Sequence, residues 1–252
     1  MHVVGGPYSH LPSPAEYSLP LLESRRESPT VMTFRFSTEG TGFRHLSNQF
    51  VRLALPGVDD PWGAVRSFSL SSSPTEHGEI AITARISDTP FKRALAALRP
   101  GETAVVYGPL GALLFDPERP AVFLAGGIGI TPLRGMIRFA RDSSFPHPIR
   151  LLYSARTPEE LVFRSELDAM AREMPKLKVG YSVTRPSEAR SPWTGRVGRI
   201  NQTWVEAATR DLDRPRFYVC GLPEMVRDLV QTLQGSLDVP AHDIRFEIFR
   251  GF

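Results

Sequence analysis

The segment Gly126–Pro132, GGIGITP, constrains the fold of this chain of 252 residues more than any other stretch. A continuous apolar run, Ala121–Ala125, precedes it and is typical of a strand buried on both faces. Residues 133–140 follow with apolar side chains at i, i+3, i+4 and i+7, which predicts an amphipathic helix. A glycine-rich turn between such a strand and such a helix is where a parallel α/β sheet binds the pyrophosphate of a dinucleotide. Glycine is also common in ordinary turns, so the position of the segment carries this interpretation, not its composition alone.

The two halves of the chain differ in hydrophobic pattern. Apolar and polar residues alternate over residues 51–55 and 80–86, and this pattern, broken by Gly and Pro, predicts an antiparallel barrel or sandwich. In the second half, strands alternate with helices, which predicts a parallel five-stranded sheet covered by helices. We therefore predict a flexible tail, a β-barrel domain and an α/β domain, over residues 1–15, 16–116 and 117–252 respectively.

Two helix boundaries follow from local signals. Residues Phe91–Leu98 place Phe91, Leu95 and Leu98 on one face and predict the single helix of the first half. Thr157 is followed by Pro-Glu-Glu, which is typical of a capping box with proline at the first helical position, so a helix is predicted to begin there.

The run Arg66–Ser72 combines a guanidinium, an aromatic ring and several hydroxyls within seven residues. Arginine can bind a phosphate through two hydrogen bonds, and the ring of Phe68 can lie against a planar ligand. Serine hydroxyls can donate to or accept from the edges of that ligand. The run favours a phosphorylated, planar ligand such as a flavin nucleotide, although an ordinary strand followed by a turn would read similarly.

Composition limits the class of protein. The net charge is only +3 and no basic residues are massed in one segment, which argues against a nucleic-acid-binding face but leaves room for an acidic protein partner. The single cysteine, Cys220, excludes a disulfide or a four-cysteine iron–sulfur cluster within these residues and fits a reducing, cytoplasmic setting. No apolar run is long enough to span a membrane, and no metal site is predicted. Cys220 ends a predicted buried strand at Phe217–Val219, on the same sheet edge as Gly127.

Five motifs in order resemble the ferredoxin–NADP reductase superfamily of flavin-dependent oxidoreductases. They are Arg66–Ser72 (R-x-Y/F-S-x-x-S), Gly108–Gly111 (G-P-x-G), Gly126–Pro132 (G-G-x-G-x-T-P), Cys220–Met225 (C-G-x-x-x-M) and Glu247–Phe249 (E-x-F). The resemblance implies an antiparallel flavin-binding barrel followed by a nicotinamide-binding α/β domain, which agrees with the change of pattern between the two halves.

The resemblance also implies roles for single residues. Arg66 would bind the flavin pyrophosphate and Ser69 would lie near the reactive edge of the ring, while Cys220 and Glu247 would flank the place where nicotinamide meets flavin. Flavin contacts are also expected from Ser67, Phe68 and Ser72, and nicotinamide-nucleotide contacts from Gly127, Gly129 and Thr131. Glu247 could stabilise charge on the nicotinamide, relay a proton, or simply form a salt bridge.

Two residues depart from the family pattern or extend it. Lys92 stands where relatives carry a hydroxyl residue at a flavin phosphate, so its charge could replace that contact. Phe252 ends the chain and could cover the flavin as an aromatic gate, or could be a frayed apolar end.

The implied activity is hydride transfer from NAD(P)H to bound FAD, with electrons passed on to a separate acceptor. That acceptor could be a ferredoxin, a flavodoxin, a haem protein or a diffusible oxidant, and a small acidic redox protein is one candidate. Ser154, Arg156 and Arg185 follow the second and third strands of the predicted sheet, where they could bind a 2′-phosphate, so we expect NADPH rather than NADH. A reductase of free flavin and a flavin-bearing subunit of a larger complex are the alternatives.

Overall fold

The computed structural model describes residues 12–111 and 114–249, and its first half is a six-stranded antiparallel sheet. The strands lie in the order β4-β3-β6-β1-β2-β5. Their bounds are β1 Ala15–Ser28, β2 Val31–Ser37, β3 Phe50–Ala54, β4 Val65–Ser69, β5 Glu79–Arg85 and β6 Thr103–Leu110. Helix α1, Pro90–Ala97, connects β5 to β6.

The two edges of this sheet meet just after β4. Leu70 forms an antiparallel bridge with Ile82 of β5, and the Ser71 amide donates to the Ala81 carbonyl at 2.8 Å. The sheet is thus closed into a barrel, which decides between the two predicted architectures. Its interior is filled by alternating apolar side chains such as Val51, Leu53 and Ile80, in agreement with the period of two.

The second half is a six-stranded parallel sheet in the order β10-β9-β8-β7-β11-β12. Its strands are β7 Ala121–Gly126, β8 Ile149–Ala155, β9 Leu177–Val183, β10 Arg196–Val197, β11 Arg216–Gly221 and β12 Ile244–Ile248. Helices on both faces are α2 Ile130–Asp142, α3 Arg164–Glu173, α4 Gln202–Thr209 and α5 Pro223–Gly235. The predicted α/β fold is confirmed, and the sixth strand is a two-residue edge that is too short to show a hydrophobic pattern.

The predicted helix start at Thr157 is wrong. Residues Pro158–Glu160 form one 3-10 turn, no side-chain cap is made by Thr157, and α3 begins only at Arg164. The turn ends because Leu161, Val162 and Phe163 are buried in the hydrophobic core on one face of the parallel sheet. Phe163 has a left-handed backbone conformation with φ 63°. Burial of these apolar residues therefore overrides the local capping signal.

Successive strands are added to the sheet first on one side of β7 and then on the other. The chain runs outward from β7 through β8, β9 and β10, and then returns to place β11 on the other side of β7. In open parallel sheets a crevice forms beyond the carboxyl ends of the strands at such a point. The end of β7 and the end of β11 are where the glycine-rich turn and Cys220 lie.

The start of the barrel differs from the predicted domain organisation. Strand β1 already begins at Ala15, inside the segment predicted as a tail, and residues 1–11 lie outside the described residues. Residue 116 falls between β6 and β7, but the domain boundary itself stays a prediction. Across the described ranges, no helix combines the length and the apolar character needed to cross a membrane.

Candidate functional site

A cavity of about 550 Å³ lies between the barrel and the parallel sheet. Its volume is in the range of ordinary small-molecule sites. Both halves contribute to its wall. Eight residues singled out in the sequence line it: Ser67, Phe68, Ser69, Lys92, Gly127, Thr131, Ser154 and Arg156. The structure thus brings the Arg66–Ser72 run, the glycine-rich turn and the end of β8 to one site.

Ser69, Cys220 and Glu247 meet at the junction of the two halves. The Ser69 hydroxyl, at the end of β4, donates to Oε1 of Glu247 at 2.5 Å. Glu247 lies on β12 directly opposite Cys220 of β11 in the parallel register. The hydrogen bond joins the barrel motif to the motif at the end of the chain, 178 residues apart in sequence.

Burial shifts the pKa values of both Glu247 and Cys220. Burial raises the pKa of Glu247 above its ordinary value, and the hydrogen bond from Ser69 opposes that shift. Burial also raises the pKa of Cys220 well above its usual range, with the charge of Glu247 adding to the effect. Cys220 is therefore a neutral thiol with no exposed surface, which fits an inert core residue and not a nucleophile. Neither Cys220 nor Glu247 is among the residues that line the cavity.

Lys92 provides a positive charge at the cavity. Its side chain is buried, and its Nζ lies 4.6 Å from the centre of the Phe68 ring. None of the ion pairs between described residues includes Lys92. Burial, together with the nearby charge of Arg66, lowers the pKa of Lys92 to about 8. An ammonium held in this way without an anionic partner fits a phosphate of a ligand.

The Arg66 side chain forms hydrogen bonds with neighbouring residues and does not line the cavity. Its guanidinium binds the fully buried carboxylate of Asp60 at 2.8 Å and donates to three nearby backbone carbonyls, the shortest contact being to Gly63 at 2.6 Å. The same carboxylate accepts from the amide of Phe91 at the start of α1 at 2.9 Å. Asp60 thus fills an anion position formed by Arg66 and the helix terminus. The phosphate contact of Arg66 stays a prediction.

The glycines of the turn have different physical roles. Gly127 adopts φ +51° and faces open space at the cavity, so a ligand could approach its backbone closely. Gly129 instead packs against β11, and a Cβ there would lie 2.2 Å from the carbonyl oxygen of Cys220. Ser72 is also structural in this arrangement, because its buried hydroxyl accepts from the Ala81 amide at 2.9 Å. Neither Gly129 nor Ser72 lines the cavity wall.

Replacing Gly129 with Ala should destabilise the protein by about 1–3 kcal/mol, as overpacking of a dense interior usually does. The atoms in the way belong to the backbone of Cys220 and Gly221 and cannot rotate aside. Gly235→Ala is the matched control, since a Cβ at the end of α5 meets nothing within 4 Å. Chemical denaturation measures both variants, and equal stability of the two would contradict the proposed close approach.

The wall beyond β8 differs from the sequence prediction. Ser154 and Arg156 line the cavity, but Arg185 is half exposed, pairs with Glu188 at 3.0 Å and lies outside the wall. Arg199, which follows the short strand β10, lines it instead. Sequence reasoning missed Arg199 because a two-residue strand leaves no periodic signal before it.

Several further residues of the wall were also missed. They are Thr83, Arg85, Ser87, Glu160, Thr184, Glu224 and Asp228. Phe249, the phenylalanine of the E-x-F motif to which no role was assigned, also lines the cavity. Phe249 follows β12 and its amide donates to the Gly221 carbonyl at 2.9 Å. The predicted gate, Phe252, lies outside the described residues.

Comparison with known proteins relates this arrangement to reductases. The model of the oxidoreductase NAD-binding domain matches residues 123–231. Ferredoxin–NADP reductase B of Sorangium cellulosum (strain So ce56) is 31% identical over 239 residues, which are 90% of this chain and 95% of that protein. The stachydrine N-demethylase reductase subunit Stc4 of Rhizobium meliloti (strain 1021) is 30% identical over 214 residues, which are 83% of this chain and 60% of Stc4.

A solved structure shows the same architecture. The crystal structure of a ferredoxin NADP+ reductase from Neisseria gonorrhoeae, with bound FAD and NADP, superposes with a TM-score of 0.76 at 25% identity. The match covers 94% of this chain and 99% of that one.

The fold and the site define a two-domain NAD-binding oxidoreductase. The chain belongs to the ferredoxin–NADP reductase family, as its identity to a relative of that name over almost the whole of both chains shows. This confirms the family and the enzyme class that the five motifs predict, with FAD and NAD(P)H as cofactors. The roles of single residues stay predictions.

Proposed function

We propose that this protein oxidises NADPH and passes the electrons through bound FAD to a separate acceptor protein. The observation that carries this proposal is the hydrogen bond from Ser69 to Glu247, which joins the two motif-bearing halves beside one shared cavity. FAD, when bound, would supply the hydride acceptor and the means to release electrons singly. The protein's own residues would bind, orient and handle protons.

The residues present fit a flavin nucleotide. The ring of Phe68 and the hydroxyls of Ser67 and Ser69 face the cavity and suit a planar ligand with polar edges. Lys92 supplies the charge for a phosphate, at the position where the motif comparison expects that contact. Gly127 leaves room on the opposite wall for the pyrophosphate of the nicotinamide nucleotide, beside the start of α2.

Glu247 would act where the two ligands meet. Burial raises its pKa above the ordinary value and its carboxylate accepts a hydrogen bond from Ser69, so it would hold or pass a proton more readily than an exposed glutamate. In its charged form it would favour the oxidised, positively charged nicotinamide. Both roles depend on Glu247 being held beside the end of β11 by Ser69.

These 252 residues contain one cysteine and cannot supply the ligands of a four-cysteine iron–sulfur cluster, so the proposed acceptor lies outside them. Stc4 is named as the reductase subunit of a demethylase, which supports a protein acceptor for this chain as well. The net charge of +3 favours an acidic partner. A single, buried cysteine also supports a reducing, cytoplasmic setting.

Retention of flavin tests the proposal against the alternative of a free-flavin reductase. The purified protein, loaded with FAD and passed through a desalting column, should remain yellow with about one FAD per chain. A colourless protein that still oxidises NADPH in the presence of added flavin would mean that flavin is a substrate, and the proposal would fail.

Replacing Arg156 or Arg199 with Ala should raise the KM for NADPH by about tenfold or more, as expected from the loss of one charge-assisted hydrogen bond. The KM for NADH should stay nearly constant, because NADH lacks the 2′-phosphate. Arg185→Ala is the control, since this arginine pairs with Glu188 away from the cavity. Steady-state kinetics with both nucleotides decides, and equal losses with NADPH and NADH would contradict the cofactor preference.

A further inference from the structure

Arg134 on α2 reaches out of the parallel-sheet half and binds the barrel. Its guanidinium donates to the Ser71 carbonyl at 3.0 Å and to both carboxylate oxygens of Glu76, one of them at 3.1 Å. Only 6% of the Arg134 side chain and 8% of the Glu76 side chain are exposed. The contact is therefore a buried, bidentate ion pair between the two halves, with strict geometry.

The same guanidinium is also fixed within its own half. It donates through Nε and Nη2 to the two oxygens of Glu166 on α3, at 3.1 and 2.5 Å. Although burial opposes it, the hydrogen bond from Arg134 holds the pKa of Glu76 below its ordinary value, so the pair stays charged at neutral pH. Arg134 thus joins one carboxylate of the barrel to one carboxylate of the sheet half. We call the group of Arg134, Glu76 and Glu166 the clamp.

The helix backbone lies directly against the barrel segment beside this clamp. A Cβ on Gly135 would lie 2.8 Å from the carbonyl oxygen of Ser72, so α2 contacts the backbone of residues 71–72 with no side chain between them. Ser69, two residues before Ser71, is bonded to Glu247. The serine segment is therefore held to the second half at both of its ends, by β12 on one side and by α2 on the other.

The clamp is also one helical turn from the ligand site. Thr131 lines the cavity at the start of α2, and Arg134 follows it by three residues on the same helix. Any shift of Arg134 relative to Ser71 would move the glycine-rich turn relative to Phe68 and Ser69. Hydride transfer is sensitive to such shifts, since a displacement of about 1 Å can cost about 100-fold in rate.

We propose that Arg134 is a positioning residue, which sets the distance between the flavin segment of the barrel and the nucleotide turn of the sheet through Glu76 and Glu166. This inference rests on the proposed hydride transfer across the shared cavity. It assigns to the ion pair a role in reaction geometry, beyond stability.

The test compares two folded variants that lack a buried arginine. In one, Arg134→Met is combined with Glu76→Gln and Glu166→Gln, so that no buried charge is left unpaired. In the control, Arg150→Met is combined with Asp211→Asn. Arg150 is an equally buried arginine, 2.7 Å from Asp211, within the sheet half and away from the cavity. Circular dichroism and melting curves establish that both variants are folded at the assay temperature.

Three readouts separate positioning from stability. In single turnovers, NADPH should reduce the flavin of the Arg134 variant about 10- to 100-fold more slowly than the flavin of the wild type, because the reactants are misplaced. The Kd values for FAD and NADPH should change less than about threefold, since no ligand contact is removed. Amide hydrogen exchange should become faster in residues 69–76 of this variant only.

Equal flavin-reduction rates in the Arg134 variant and the Arg150 control would overturn the positioning role. So would a loss of rate explained entirely by weaker binding of NADPH or FAD. A wild-type protein whose bound flavin is reduced by neither NADPH nor NADH would instead overturn the proposed function, and the positioning role with it.

Discussion

Replacing Glu247 with Gln should slow reduction of the bound flavin by about 100-fold, the lower end of the usual contribution of a positioned acid or base. The variant keeps the size of the side chain and an oxygen that can accept from Ser69, but it removes the carboxylate charge and the titratable proton. Single-turnover stopped-flow measurements of flavin absorbance, at saturating NADPH, give this rate constant directly.

Ser69→Ala distinguishes the two roles open to Glu247. If the carboxylate relays a proton through the Ser69 hydroxyl, the two variants should be impaired to a similar extent. If it acts by charge alone, Ser69→Ala should be much the milder change. Glu224→Gln is the control, because this carboxylate lines the cavity on α5 away from the Ser69 contact. A Glu247→Gln rate equal to that of the control would contradict any role of Glu247 in the reaction.

Stability should move in the opposite direction from activity. Burial raises the pKa of Glu247 in the folded protein, so folding favours its protonated form. Its contribution is therefore most favourable at low pH and is lost as the pH rises through the folded pKa. At neutral pH, Glu247→Gln should leave the free energy of unfolding unchanged or higher, a stability–function conflict typical of active sites.

Replacing Lys92 with Met should weaken FAD binding by about 10- to 100-fold, the effect expected from the loss of one hydrogen bond between charged groups. The reason is that Lys92 places a buried ammonium at the cavity without an anionic partner among the described residues. Equilibrium binding of FAD to the flavin-free protein, followed by fluorescence quenching, measures the Kd without any turnover.

The pH dependence of the same Kd tests the charge of Lys92 specifically. Because its pKa is lowered to about 8 in the flavin-free protein, the ammonium loses its proton as the pH rises through that value. FAD affinity of the wild type should therefore fall between about pH 7 and 9.5, whereas Lys92→Arg should bind almost independently of pH.

Arg93→Met is the matched control for Lys92. It neutralises the adjacent residue of α1, whose exposed side chain pairs with Asp88. It should leave the Kd for FAD within about twofold of wild type, as is usual for exposed ion pairs. Wild-type affinity in Lys92→Met, or an unchanged pH profile in Lys92→Arg, would show that the phosphate is held elsewhere.

The architecture and the centre of the site could be predicted because their signals are local. The apolar run of β7, the glycine turn and the helical spacing after it define one strand–turn–helix unit without reference to the rest of the chain. The carboxyl ends of neighbouring parallel strands then necessarily bring Gly127 and Cys220 to one edge. Glu247 lies at the same edge because β12 pairs with β11 so that Glu247 is opposite Cys220.

The partners of the charged residues could not be predicted, since they depend on contacts between distant segments. Nothing in the sequence indicates that Asp60 fills the position between Arg66 and the start of α1, or that Arg199 takes the place expected for Arg185. Arg134 likewise reads as one polar residue on an amphipathic helix. Its partners, 58 and 32 residues away, appear only when the two halves are packed together.

Anaerobic mixing of the FAD-loaded protein with NADPH is the most direct test of the shared cavity. The visible absorbance of the flavin should bleach in a single turnover, and more slowly when the transferred hydrogen of NADPH is replaced by deuterium. Such an isotope effect requires the nicotinamide on the parallel sheet to meet the flavin in the barrel. A flavin that binds tightly yet remains oxidised with both NADPH and NADH would contradict that arrangement.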